Sequence, residues 1–142
     1  MGWFLLRHLQ RVRVAFDGDF LLAIVLGEIA HHNICRYYSS GRRIESIRDV
    51  DYEDPDGLPH LESCNAYSLS NATGIPRETV RRKISKLVKR GWIKRDARGG
   101  FLVTQEPSRH FSADFNVRSL ADLMETADAL RKILEGDGGQ GH

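Results

Sequence analysis

Cysteine is scarce in this sequence: only Cys35 and Cys64 occur, 29 positions apart among 142 residues. That separation matches neither a metal-ligand pair nor a redox pair, so two reduced thiols in a cytoplasmic protein are expected. Long apolar runs are missing too. The longest, Phe20–Leu26, has seven residues, far short of the roughly 20 that a bilayer requires, and no membrane span is expected. Arg7, Arg11 and Arg13 break up the apolar residues between Trp3 and Phe16, with no small-residue cleavage site after them. This argues against a secretory signal. No Gly-rich phosphate loop, serine elbow, paired carboxylates or Cys/His zinc pattern is present, so an enzyme is not expected, nor is a cofactor or a metal. His31 and His32 are adjacent and therefore about 100° apart on a helix, which makes it hard for both to ligate one ion.

What is present is a chain of single-domain size with 41% hydrophobic residues, enough for one core and an appended helix or two. The formal net charge of +2 hides a strong asymmetry. Between Arg77 and Arg98 stand ten Lys or Arg residues against Glu78 and Asp96, a local net of +8. Between Glu45 and Glu62 seven acids face Arg48 alone. A concentrated positive segment of this kind is the electrostatic footprint of a phosphate-binding surface.

Residues 1–16 mix apolar side chains with arginines. Leu5, Leu9 and Val12 suit a helix and Val12–Phe16 a strand, and either form exposes enough apolar surface to call for a second subunit. A membrane-surface helix is the competing reading. Asp17 or Asp19 can cap a helix over Phe20–Tyr38, which is apolar nearly all round and is expected to be buried on several sides. Ile44, Ile47, Val50 and Tyr52 fit a short element, and 52–59 an acidic, turn-rich loop. The loop lacks the acid–glycine alternation of a calcium site. Near the C-terminus, Ser112 or Asp114 can cap an amphipathic helix bearing Val117, Leu120, Leu123, Met124, Leu130, Ile133 and Leu134, again with more apolar surface than one chain covers. Gly136–His142 reads as a frayed tail.

The chain is organised around Ser68–Thr104. Gly74-Ile75-Pro76 marks a tight turn: Gly74 takes a positive φ without steric cost, and Pro76 presets the φ of a first helical residue. From there Val80, Ile84, Leu87 and Val88 form an apolar stripe at helical period, ending at Gly91 with Trp92 packing back. Trp92–Arg95 and Phe101–Thr104 flank a Gly-containing loop, which is a hairpin signal. Leu69-Ser70, Ala72-Thr73-Gly74, Ile75–Arg82, Leu87 and Arg90–Ile93, in this order and spacing, resemble the winged helix-turn-helix DNA-binding domain of MarR-type and GntR-type bacterial transcription regulators. The resemblance covers roughly 40 residues. It implies a mainly α fold with a small β-hairpin wing, plus N- and C-terminal dimerisation helices, in a prokaryotic protein. The acidic segment 45–62 is longer than the connection usual before the first reader helix.

Three segments are expected: 1–60 as scaffold and dimerisation, 61–106 as the DNA reader, and 107–142 as a dimerisation helix with a tail. Residues 20–38 and 115–135 would together form the dimer and scaffold. The N-terminal residues of a helix-turn-helix reader enter the major groove, so Arg77, Glu78, Arg81 and Arg82 of helix 76–90 are expected on base edges. Thr79, Ser68 and Ser70 are expected on phosphate, and Lys86, with Lys89, to bring charge. At the wing, 94–100, the resemblance implies that Lys94, Arg95 and Arg98 touch backbone or minor groove. The expected function is a homodimeric, sequence-specific regulator on double-stranded DNA with an inverted-repeat operator. A protein-interaction module docking an acidic partner is the alternative. A third is a regulator answering to an unidentified small molecule held between the long apolar helix and the C-terminal helix.

Overall fold

A computed structural model describes residues 2–39, 61–111 and 113–137. The expected element around 44–52, the acidic loop 52–59, the cap at Ser112 and the tail beyond 137 lie outside the described residues. Along the chain run α1 (Gly2–Ala15), α2 (Phe20–Ser39), α3 (Ala66–Thr73), α4 (Arg77–Lys89), β1 (Ile93–Arg95), β2 (Phe101–Val103), α5 (Glu106–His110) and α6 (Ala113–Asp137). The protein is thus mainly helical with one small antiparallel sheet, β1–β2. It divides into two compact units, residues 19–110 and residues 1–18 with 111–142. No helix among the described residues is long and apolar enough to cross a membrane.

That grouping differs from the expected 1–60, 61–106 and 107–142. The reason is α2, which packs on α3, α4 and β2 and so groups with them. The Asp19 carboxylate caps it, accepting from the Leu22 amide at 3.0 Å. Leu22, Val25, Leu26, Ile29 and Asn33 are buried and follow one another at three- and four-residue steps, a single helical face. Phe20, Leu21 and Ile24 remain exposed. The expectation of burial on several sides therefore holds for one face only.

Among the described residues, Asn33 is the one polar side chain fully buried in this core. Its amide nitrogen donates to the carbonyls of Glu62 at 2.8 Å and Phe101 at 3.1 Å. Its amide oxygen accepts from the Val103 backbone at 2.9 Å. Cys64 extends the same seam, forming an antiparallel bridge with Phe101. β1 and β2 pair with Ile93 opposite Val103 and Arg95 opposite Phe101, and Ile93, Phe101 and Val103 are buried. Burial pushes the Cys64 thiol up to about 11, which keeps it protonated and unreactive.

α3 opens on Asn65, whose side chain accepts from the Ser68 amide while Ser68 answers to the Asn65 backbone, a reciprocal cap. It closes on Gly74 in the left-handed region, φ 70°. Pro76, with ψ 137°, is the residue before α4 and not its first helical one. Val80, Ile84 and Leu87 bury the inner face of α4. Gly91, φ 70°, ends it: its amide bonds to Val88 and that of Trp92 to Leu87, a left-handed termination with Trp92 folded back and buried. α5 was not expected from the sequence; its His110 ring lies 4.9 Å from that of Trp92.

In the other unit, residues 2–15, for which helix and strand both stood open, are helical, and α1 packs on α6. Phe16 stacks on Phe111, Phe111 meets Phe115, and Phe115 meets His8. Arg11 and Arg7 converge on Asp122 and, Arg11 foremost, hold its carboxyl below the usual range. Gly136 continues α6 instead of fraying. No residue of α1 is fully buried, and Trp3, Val14, Ile133 and Leu134 keep 74%, 69%, 62% and 76% of their surface exposed.

Asn33→Ala would remove the side-chain partner of the Val103 amide and of the Glu62 carbonyl, and leave the Phe101 carbonyl to Cys64 alone. Urea unfolding is expected to report a loss of about 2–3 kcal/mol. A variant as stable as the parent would remove Asn33 from the set of structural determinants.

Candidate nucleic-acid interface

The basic residues of α4 fall into rows set by the helical period. Thr79, Lys83 and Lys86, spaced by four and three, form one flank. There the Asp19 carboxylate receives Lys83 Nζ at 2.8 and 2.9 Å and Lys86 Nζ at 3.0 Å. Burial opposes the Asp19 charge, but the two lysines and the Leu22 amide outweigh it and bring the carboxyl down to about 2. Lys86 is therefore committed to an intramolecular ion pair as well as bringing charge. The outermost row holds Glu78, Arg82 and Lys89, all exposed. Arg82 reaches the Thr79 hydroxyl at 3.4 Å.

Arg77, Arg81 and Ser85, at i, i+4 and i+8, form the third row, and it faces a cavity of about 560 Å³. The cavity is closed from the α3 side by Asn65 and Tyr67 and from the hairpin by Arg95 and Phe101. Arg77 lies over the Tyr67 ring at 5.8 Å and Arg95 over the Phe101 ring at 4.8 Å, contacts that restrict where each guanidinium can go. Among the described residues, no acidic side chain lines the cavity. Among the described residues, Arg77, Arg81 and Arg95 take part in none of the ion pairs seen elsewhere in the chain.

The hairpin tip is built by Asp96. Its carboxylate accepts from the Arg98 amide at 2.9 Å and the Gly100 amide at 2.7 Å. The Ser63 hydroxyl, followed by these amides, holds it below the usual carboxylate range. A Cβ on Gly100 would penetrate the Ser63 side chain, so glycine is required there by close approach. Lys94, Arg95 and Arg98 are exposed along this ribbon.

Two expected phosphate contacts have other work. Ser68 is engaged in the α3 cap, and the Ser70 hydroxyl donates to the Ile75 carbonyl at 2.7 Å, bracing the turn. The structure thus brings Arg77, Arg81 and Arg95 together, leaves Glu78 and Arg82 on the solvent-facing row, puts Lys94 and Arg98 on the hairpin, and directs Ser68, Ser70, Thr79 and Lys86 to internal partners. Asn65, Tyr67, Ser85 and Asp19 were not in the expected set. Asn65 had a signal, the Asn-x-x-Ser spacing of a reciprocal cap. Tyr67 and Asp19 had none, because their partners lie far along the chain.

Asp19 has a depressed folded-state pKa, so its contribution is present above about pH 4 and is lost as the pH falls toward 2. Asp19→Asn is expected to lower stability at pH 7 by about 1–2 kcal/mol and to flatten the acid limb of a thermal-melt series; an unchanged limb would count against the clamp. At the hairpin tip, Gly100→Ala is expected to cost about 1–3 kcal/mol by overpacking. Ser63→Gly in the same chain should recover part of that loss in chemical denaturation, and no recovery would argue against the close approach.

No protein-family model, curated protein or solved structure matches this chain.

Proposed function

We propose that this protein is a double-stranded DNA-binding transcription regulator of the winged helix-turn-helix kind, acting as a homodimer in the cytoplasm. The observation that carries the reading is the placement of α4. Its inner face is anchored by Val80, Ile84 and Leu87, a three-residue turn joins it to α3, and a basic hairpin stands beside it. Glu78 and Arg82 are exposed on its first turns, where a helix laid in a major groove presents side chains to base edges. Arginine reads guanine and glutamate accepts from cytosine, while Lys94 and Arg98 on the hairpin supply charge for backbone or minor groove.

The homodimer is supported by the unit of α1 and α6. Two helices cannot cover each other's apolar rows, and Trp3, Leu5, Val117, Met124, Ile133 and Leu134 are more than half exposed. A second copy presenting the same rows would bury them in a helical bundle. Two-fold symmetry then implies an inverted repeat with half-sites about one helical turn apart.

Selection from a random duplex pool at about 150 mM salt, where screening suppresses weak charge-only binding, is expected to enrich an inverted repeat. Recovery of no motif would sink the reading. Arg82→Ala should weaken the selected site by about 1–3 kcal/mol and relax preference at one base position. An unaltered footprint and affinity would take Arg82 out of the base-reading set.

A further inference from the structure

We infer that Arg77, Arg81 and Arg95 act as one phosphate-ester pocket, a role distinct from the separate base contacts expected of Arg77 and Arg81. Three observations carry this. The three side chains line a single cavity of about 560 Å³, although Arg95 comes from β1 and the others from α4. Among the described residues no carboxylate lines it, so the three positive charges share a concave space without a paired acid there, whereas Lys83 and Lys86 of the same helix share the Asp19 carboxylate. Two of the arginines are backed by rings, Arg77 by Tyr67 and Arg95 by Phe101, which fixes the planar donors in place before a ligand arrives.

The chemistry fits a tetrahedral oxyanion. Guanidinium groups offer paired donors that match phosphate oxygens, and charge-assisted bonds of this type gain strength in a partly enclosed site. The volume is within the range of small-ligand sites and exceeds what a lone phosphate fills. The exposed Tyr67 ring, the Asn65 side chain and the Ser85 hydroxyl complete the lining, a combination of ring and amide suited to a nucleoside carried on the phosphate. The phosphate ester has two sources: a backbone phosphate of a bound duplex or a free nucleoside phosphate. The duplex source rests on the DNA reading proposed above; the free one does not.

The test uses the full chain and its variants Arg81→Gln, Arg95→Gln, their double, Ser85→Asp and Lys132→Gln, with folding checked by circular dichroism. Ser85→Asp puts a carboxylate into the cavity without removing an arginine, and Lys132→Gln removes an exposed charge on α6, outside the cavity. Each is titrated by calorimetry with a deoxynucleoside 5′-monophosphate and, by anisotropy, with a duplex. Binding of the mononucleotide by the parent and Lys132→Gln, weakened about tenfold or more by Arg81→Gln, Arg95→Gln and Ser85→Asp, supports the pocket with a free ligand. It does so even if no duplex binds, in which case only the DNA reading falls. If only the duplex binds, the pocket is supported when each arginine variant loses about tenfold and the double loses clearly less than their product, as for groups sharing one phosphate. Duplex affinity that is unchanged in the cavity variants, or losses that simply multiply, with no mononucleotide binding, would overturn the pocket while leaving the DNA reading standing. Binding of neither ligand would overturn both.

Discussion

The unit of residues 19–110 depends on one buried carboxamide. Asn33 sits on the otherwise apolar inner face of α2 and makes three hydrogen bonds to the backbone at Glu62, Phe101 and Val103. A carboxamide in that position would be costly without partners, so its burial specifies where β2 and the strand-like residues 62–64 must lie. Once β2 is placed against α2, β1 follows by pairing, and the hairpin comes to stand beside α4. The cavity lined by Arg77, Arg81 and Arg95 is a consequence of that placement.

The charge of α4 is apportioned by geometry. A local net of +8 between Arg77 and Arg98 would look uniform on a sequence plot, yet each row of the helix meets a different surface. The inner row meets apolar side chains of the core. One flank meets Asp19, which both caps α2 and pairs with two lysines, so that one carboxylate ties the start of α2 to α4. The opposite flank meets the hairpin and carries unneutralised arginines. The outermost row, Glu78, Arg82 and Lys89, faces away from all of these, and on the proposed reading toward the floor of a DNA groove. On the proposed reading, net charge draws a polyanion to this surface, while the rows decide what each residue does there.

The unit of α1 and α6 follows a different logic. Its ring cluster, Phe16, Phe111, Phe115 and His8, and the arginines on Asp122 give the two helices a definite contact. That contact covers too little: α1 has no buried residue. A pair of helices exposing this many large apolar side chains gains from a further layer of helices, which is why a second copy belongs to the proposed function. The wing-and-helix half and the α1–α6 half thus divide reading from pairing on that view.

Several local features were legible in the sequence because they depend on neighbours within a few residues. Gly74 and Gly91 adopt the positive φ expected of them, Val80, Ile84 and Leu87 of the expected stripe are buried while its fourth member, Val88, stays exposed, and the two short β-prone runs pair as a hairpin. The mainly α fold was implied by the family resemblance, and residue patterning showed apolar surface at both ends. What stayed hidden was every long-range pairing: Asn33 with β2, Asp19 with Lys83 and Lys86, Cys64 with Phe101, and Arg95 with the Arg77–Arg81 row. α2 illustrates the limit, since its sequence is apolar nearly all round and only the packing of α3, α4 and β2 chose which face to bury. Backbone conformational preferences and hydrophobic period are short-range properties carried by the residues themselves. Which charge is neutralised, which amide is satisfied and which arginines share a cavity are decided only when distant segments meet in the tertiary structure, because electrostatic and hydrogen-bond partners act through space and not along the chain.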